Sequence, residues 1–442
     1  MANAKQHQIW TRGTSLRAAA VGLVVAIIFG LTVVAAQTAQ AQTFNVIHSF
    51  TGGRDGANPY AGLTMDAAGN LYGTAMNGGV GHSGAIFKLS HGGSGWVLTP
   101  LYNFAGGDDG AGPGSRVIFG PDGGLYGTTV GGGGYCDFDG LACGTVFSLK
   151  PPVRPPASVL ASWTETVLHR FAKIGGDGNG PIYGDVTFDE AGNLYGTTAL
   201  GGRYGNCEYD GCGTAYKLTP SGDDWSENLI WEFGHGPEGV IPFNGMTFDN
   251  AGNLYGTTNA GGEAGMGGGS GTAFQLKPSG SGWQMIILHS FQDRGDGRYP
   301  HAGMIFDGAG NLYGASSDGG PNGGGVIFEL MPLGSGWTFN EFYNLTGTPG
   351  YRTGPGANLF MDNAGNLYGT TQGSVGAPDW GTVFKLTLSD GAWAYTLLHR
   401  FTGGSDGAYP ICSLVSDPNG DLYGTTSQGG TNGYGVVFKI TP

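Results

Sequence analysis

Six acidic residues recur at one place in a repeated glycine-rich loop. They are Asp55 in GGRDGANP (52–59), Asp109 in GGDDGAGP (106–113), Asp177 in GGDGNGP (175–181), Glu238 in PEGVIP (237–242), Asp296 in RGDGRYP (294–300) and Asp406 in GGSDGAYP (403–410). A further copy, GTPGYRTGP at 347–355, carries no acid. Carboxylates beside exposed loop carbonyls are the donors that Ca²⁺ prefers, in sets of roughly six to eight oxygens. Two carboxylates at a suitable separation could also serve a hydrolase. An Asp-Gly step equally makes a tight turn with no ligand, its carboxylate capping backbone N–H groups. The loops do not match the D-x-[DN]-x-[DN]-G pattern of a calcium loop, so these six residues stand as ligand or calcium candidates, and no catalytic set or other cofactor is expected.

Other chemistries find less support. There is no H-E-x-x-H and no G-x-x-x-x-G-K-[ST] after a strand. One G-x-S-x-G occurs at 403–407, but Ser405 lacks the strand–elbow–helix setting of a nucleophile. His48, His169, His289 and His399 lie in LHSF-like segments far apart in the chain, so they are expected to bond neighbouring backbone rather than share a metal. Trp96, Trp163, Trp225, Trp283, Trp337 and Trp393 each open such a segment; they could stack on sugars, but a fixed place in every repeat reads as a packing anchor. Arg116, Asn244 and Asn358 are polar departures where the repeats are otherwise apolar, and would mark an enzyme site at the mouth of a channel.

The five cysteines include two local pairs, Cys136 with Cys143 and Cys207 with Cys212. Each pair is expected to close a loop as a disulfide; a zinc ion held by all four thiolates is the other reading, weakened by the absence of C-x2-C spacing. Cys412, flanked by apolar residues, is expected to be buried.

A repeat must position these loops. The second aromatic of NLYGTT-like segments falls at Tyr72, Tyr126, Tyr195, Tyr255, Tyr313, Tyr368 and Tyr423, in steps of 54, 69, 60, 58, 55 and 55 residues. Each unit holds four short runs of β character divided by Gly-, Asn-, Ser- and Pro-rich turns, with no helical apolar period. The pattern predicts an all-β, seven-bladed β-propeller of four-stranded blades. The units run approximately 46–100, 101–166, 167–228, 229–286, 287–340, 341–396 and 397–442. TFNVIHSF at 43–50 has fourth-run character, whereas the last unit ends after its third run, VVFKITP. The N-terminal strand is therefore expected to complete the last blade and close the ring, leaving no open sheet edge.

Lys5, Arg12 and Arg17, the apolar run 18–34 and Ala39-Gln40-Ala41 read as a signal peptide over 1–41, cleaved near Ala41; a retained N-terminal anchor is the rival. Removing those three basic residues takes the formal charge from −14 to −17. So acidic a chain, without basic stripes, is unsuited to nucleic acid, and no membrane span is expected after signal removal. Aromatic residues at 12% separate it from a disordered glycine-rich linker despite its 91 glycines.

The combined LYGTT…GG…GTVFKL…LHSF pattern over 43–442 resembles the GloVer (Gloeo/Verruco-type) tandem repeats of exported bacterial proteins. That resemblance implies a secreted, periplasmic or extracellular protein and supplies no catalytic residue. A C-terminal anchor, common in that family, is not expected from a chain ending at Pro442 without an apolar tail. The expectation is a monomeric, non-catalytic binding or structural module for a cell-surface glycan or protein. The alternative is a carbohydrate-active propeller enzyme (polysaccharide lyase, glycosidase or lactonase-like).

Overall fold

The computed structural model describes residues 42–442 apart from 94, 134–142, 153–161, 173–175, 204–206, 208–210, 223, 235, 264–268, 294, 335, 348–352 and 374–378. The segment 1–41, expected to be a signal peptide, and Cys136 thus lie outside the described residues. Phe44–Thr441 form one compact unit, whose described strands make seven antiparallel sheets arranged as the blades of a propeller and one two-stranded pair, Gly178–Asn179 with Leu200–Gly201. In blade 1 the strands are Thr64–Met65, Leu71–Ala75, Ala85–Gly92 and Gly95–Asn103, hydrogen-bonded in that order from the channel outward. Blades 3 to 6 repeat this meander, and blade 2 adds the short strand Ala111–Pro113 beside its second strand. The only helix among the described residues is the 3₁₀ turn Gly236–Glu238.

Each residue of the NLYGTT segment has a defined task, which is why it recurs. In blade 3, Asn193 Nδ2 donates to Asp189 at 2.7 Å and Leu194 is fully buried. The Tyr195 hydroxyl donates to the same Asp189 at 3.0 Å across the turn. The glycine is required by contact: a Cβ on Gly73 of blade 1 would lie 2.6 Å from the Phe87 ring and 2.8 Å from Leu63. The first threonine reaches into the next blade. Thr74, Thr128, Thr197, Thr257, Thr370 and Thr425 donate to the carbonyls of Ser115, Pro181, Asn244, Ala302, Cys412 and Ala61 at 2.8–3.3 Å. Such a buried bond is worth about 1 kcal/mol net, and an unmet partner costs more. Blade 5 has Ala315 at this place.

The inner strands pair over only two residues in most blades, shorter than the apolar runs suggest. Their preceding residues turn toward the channel, where their carbonyls accept these threonine bonds instead of continuing the ladder.

Ring closure follows the expected pattern. Thr43–Ser49 is the outermost strand of the last blade, beside Val436–Thr441, then Leu422–Thr426 and Val415–Ser416. Phe50 is fully buried, and its N–H donates to the Gly435 carbonyl at 3.1 Å. Phe44 stacks on His399 with ring centroids 3.7 Å apart and meets Phe401 and Phe438. Val46, on the same outer strand, is 38% exposed.

A chain starting at residue 51 loses the burial of Phe44, Ile47 and Phe50, worth roughly 1.5–3 kcal/mol each. It should aggregate, or melt roughly 5–10 °C below a chain starting at residue 42 in scanning calorimetry.

Candidate functional site

The acidic loops connect each outer strand to the next blade, and their carboxylates turn back onto their own junction. Asp55 accepts from the backbone N–H of Thr51 at 2.9 Å and lies 3.1 Å from His48 Nε2. Asp296 and Asp406 do the same with Gln292 and His289, and with Thr402 and His399, the histidines lying at 2.9 and 3.1 Å. Asp109 accepts from Ala105 N–H and from Tyr102, which holds the place of the histidine. Glu238 sits in the 3₁₀ turn, and its backbone carbonyl accepts from Thr272. The five aspartates are each bound within their own turn, so the capping role expected of Asp-Gly is present at these loops. His48, His289 and His399 bond these side chains rather than neighbouring backbone, because the turn returns the chain seven residues later against the ring.

A second contact crosses each junction. The residue two after the tryptophan position of one outer strand covers the His, Tyr or Trp of the preceding blade. Phe339 stacks on His289 at 3.7 Å, Phe44 on His399 at 3.7 Å, and Tyr395 on Tyr343 at 5.3 Å. Leu98 and Met285 fill the same place in blades 1 and 4. The tryptophans are packing anchors: Trp96, Trp225, Trp283, Trp337 and Trp393 meet the repeat tyrosine of the preceding blade at 5.7–6.3 Å.

Blades 2 and 3 depart from this scheme. Glu165 and Glu227 replace the apolar cover, and each leaves a buried Oε1 without a hydrogen bond. Burial, then the Asp109 carboxylate, pushes Glu165 up to about 7 against the opposing pull of Arg170. Burial, then Asp177, pushes Glu227 up to about 7, with His169 opposing. His169 Nε2 lies 3.3 Å from Asp177 Oδ2 yet makes no hydrogen bond. Asp177 instead accepts from Ala172 and Gly178 N–H at 2.8 and 2.6 Å. Tyr216 stands where the other six blades have phenylalanine opposite the strand glycine. It is fully buried with an unpartnered hydroxyl. Burial, then the charges of Glu227 and Asp177, holds its phenol well above the usual range.

Near the centre of the ring lies a cavity of about 30 Å³, lined by residues including Tyr60, Gly114, Tyr183, Asp185 and Asn244, with the Tyr60 and Tyr183 rings 6.0 Å apart. The polar departures noted in the sequence join blades here. Arg116 Nε meets Asp185 at 3.1 Å, Asn244 Nδ2 donates to the His301 carbonyl at 2.8 Å, and Asn358 Oδ1 accepts from Gly303 N–H at 2.6 Å.

On the opposite face from the acidic loops, a groove of about 450 Å³ opens between blades 2 and 3. Tyr126, Phe188 and Trp225 supply its aromatic wall, and Asp122, Ser148 and Lys150 its polar edge. Lys150 and Asp122 form an ion pair at 3.2 Å. The register explains the opening. Opposite the repeat tyrosine stand Lys88, Lys217, Gln275, Glu329, Lys385 and Lys439 in six blades, but Ser148 in blade 2. The four lysines lie 5.4–5.7 Å over their tyrosine rings; serine leaves that space empty.

Cys207 and Cys212 form a disulfide with Cα atoms 5.4 Å apart, and Cys143 is disulfide-bonded and buried. Cys412 is a free, buried thiol; burial pushes it up to about 11. Ser405 is an exposed turn residue.

Two outcomes follow. Asp406→Ala should lower unfolding stability by about 1–3 kcal/mol in denaturant titration, because His399 and the Thr402 N–H lose their acceptor. Glu165 holds its proton more tightly folded than unfolded, so its stabilising share is present below about pH 4.5 and is lost as pH rises through about 7. Glu165→Leu, which installs the residue of blade 1, should therefore gain more in melting temperature over the parent at about pH 8 than at about pH 5. A gain independent of pH would contradict a buried titrating carboxyl.

No curated protein sequence matches the chain. An ulvan lyase of polysaccharide lyase family PL25 superposes with TM-score 0.53 at 12% identity, covering 90% of this chain and 95% of its own. The same lyase bound to a GlcA–Rha3S saccharide gives 0.51 at 11%, covering 89% and 95%. A gluconolactonase from Xanthomonas campestris gives 0.37 at 13%, covering 67% and 78%. At these identities the two lyase superpositions show the propeller fold alone. The Gloeobacter/Verrucomicrobia repeat matches residues 27–268 and 264–442, and the chain belongs to that repeat family.

Proposed function

We propose that this propeller is an exported, monomeric, non-catalytic binding module that takes a glycan in the groove between blades 2 and 3. The observation carrying this reading is Ser148, the one short side chain at a place where six blades carry a long one over the tyrosine. The resulting space, about 450 Å³, falls in the range used for small ligands. Aromatic rings beside a charged pair offer a sugar both stacking and hydrogen bonds. The Cys207–Cys212 disulfide supports an oxidising compartment, and among the described residues no helix is long and apolar enough to cross a membrane.

The enzymatic alternative would use the channel mouth. Arg116, Asn244 and Asn358 are engaged between blades there, and a cavity of about 30 Å³ admits little more than a water molecule. These observations favour binding over turnover at that place.

Ser148→Lys restores the side chain of blades 1, 3, 6 and 7 and should close the groove without unfolding the sheet. Glycan-array screening followed by calorimetric titration should find a saccharide ligand for the parent, with affinity at least about tenfold weaker in Ser148→Lys. Equal affinity in the two proteins, an empty screen, or depolymerisation of the bound saccharide would overturn the reading.

A further inference from the structure

We propose that His169, Asp177 and Glu227, where the outer strand of blade 2 and its following loop meet the outer strand of blade 3, form a binding site for one divalent transition-metal ion of the zinc class. One ligand atom from each residue lies within 4.8 Å of the others, and this is the single such group among the described residues. A tetrahedral ion holding nitrogen and oxygen donors at about 2.0–2.2 Å sets them about 3.3–3.6 Å from one another, and His169 Nε2 and Asp177 Oδ2 already lie 3.3 Å apart. Three protein donors leave a fourth, open position of a tetrahedral site for water or a ligand atom.

Three features separate this junction from its sisters. Glu227 Oε1 and His169 Nε2 are buried atoms without hydrogen bonds, whereas His48, His289 and His399 bond their aspartates at 2.9–3.1 Å. Glu227 occupies the place that Phe339 and Phe44 use to stack on those histidines, so an oxygen donor stands where packing would otherwise be completed. Tyr216, in the phenylalanine position of the same blade, is a fully buried side chain whose hydroxyl also lacks a partner and feels both carboxylates. A structural repeat gains nothing from three unmet polar groups at one junction, because a buried donor or acceptor without a partner destabilises the fold. A cation satisfies the donors together.

The donor set selects the ion. Calcium takes an all-oxygen shell, whereas imidazole with carboxylates suits zinc and its neighbours. Asp177 is one of the six loop acids, and its partners there favour zinc over calcium at this junction. The blade 1–2 junction offers Glu165 and Asp109 but has Tyr102 in place of histidine, so it lacks the nitrogen donor.

The test uses residues 42–442 stripped with chelator and titrated with Zn²⁺ by calorimetry, with bound metal counted by mass spectrometry. The parent should bind one Zn²⁺ at micromolar or tighter affinity and melt at higher temperature in its presence. Glu227→Met, the residue of blade 4, and His169→Tyr, the residue of blades 1 and 5, should fold yet lose the zinc-dependent shift and at least about tenfold in affinity. Absence of Zn²⁺ binding by the parent, undiminished binding by both variants, or a preference for Ca²⁺ over Zn²⁺ would overturn the proposal. Saccharide binding in the groove involves neither side chain, so the two readings fail independently.

Discussion

A ring of seven blades closes only if every blade offers the next one the same face. That single constraint organises the molecule. Near the channel, a threonine hydroxyl crosses to a carbonyl of the following blade in six of the seven junctions. Midway, the repeat tyrosine is held by its turn aspartate and is covered by an aromatic ring of the next blade, as with Tyr195 and Phe248 at 5.1 Å. Outermost, a histidine or its substitute is clasped by a loop acid and capped from the neighbouring strand. The N-terminal strand enters the last blade because the same outer layer must be completed there.

Against such uniformity, departures carry information. They gather at blades 2 and 3: Ser148 opens a groove on one face, and Glu227, Tyr216 and His169 leave unmet polar atoms in the outer layer. The longest step between repeat tyrosines, 69 residues, falls in the same place. Polar groups left unmet in a buried layer reduce stability, and their concentration at one junction of seven separates a specialised place from generic drift. The blade 2–3 junction is where this scaffold is differentiated.

Periodic features were legible in the sequence because every copy reports the same environment. The count of blades, the strand character of NLYGTT and the closing role of Thr43–Ser49 all derive from spacing. Side-chain partnerships were not. His48 and Asp55 fall in segments read separately, and only the turn between them brings carboxylate to imidazole. Arg116, Asn244 and Asn358 stood out as polar, but their partners come from other blades and have no sequence signature. Ser148, Glu227 and Tyr216 become exceptional only once strand register aligns them with six counterparts; with that register, each is visible as a departure from its column.

The most direct measurement is anomalous diffraction from crystals of residues 42–442 grown with Zn²⁺, with data collected on both sides of the zinc absorption edge. One strong peak is expected, bounded by His169 Nε2 and the Asp177 and Glu227 carboxylates, with no peak at the His289–Asp296 or His399–Asp406 pairs. Equal peaks at all these pairs, or none at His169, would contradict the claim that the blade 2–3 junction differs in kind from the others.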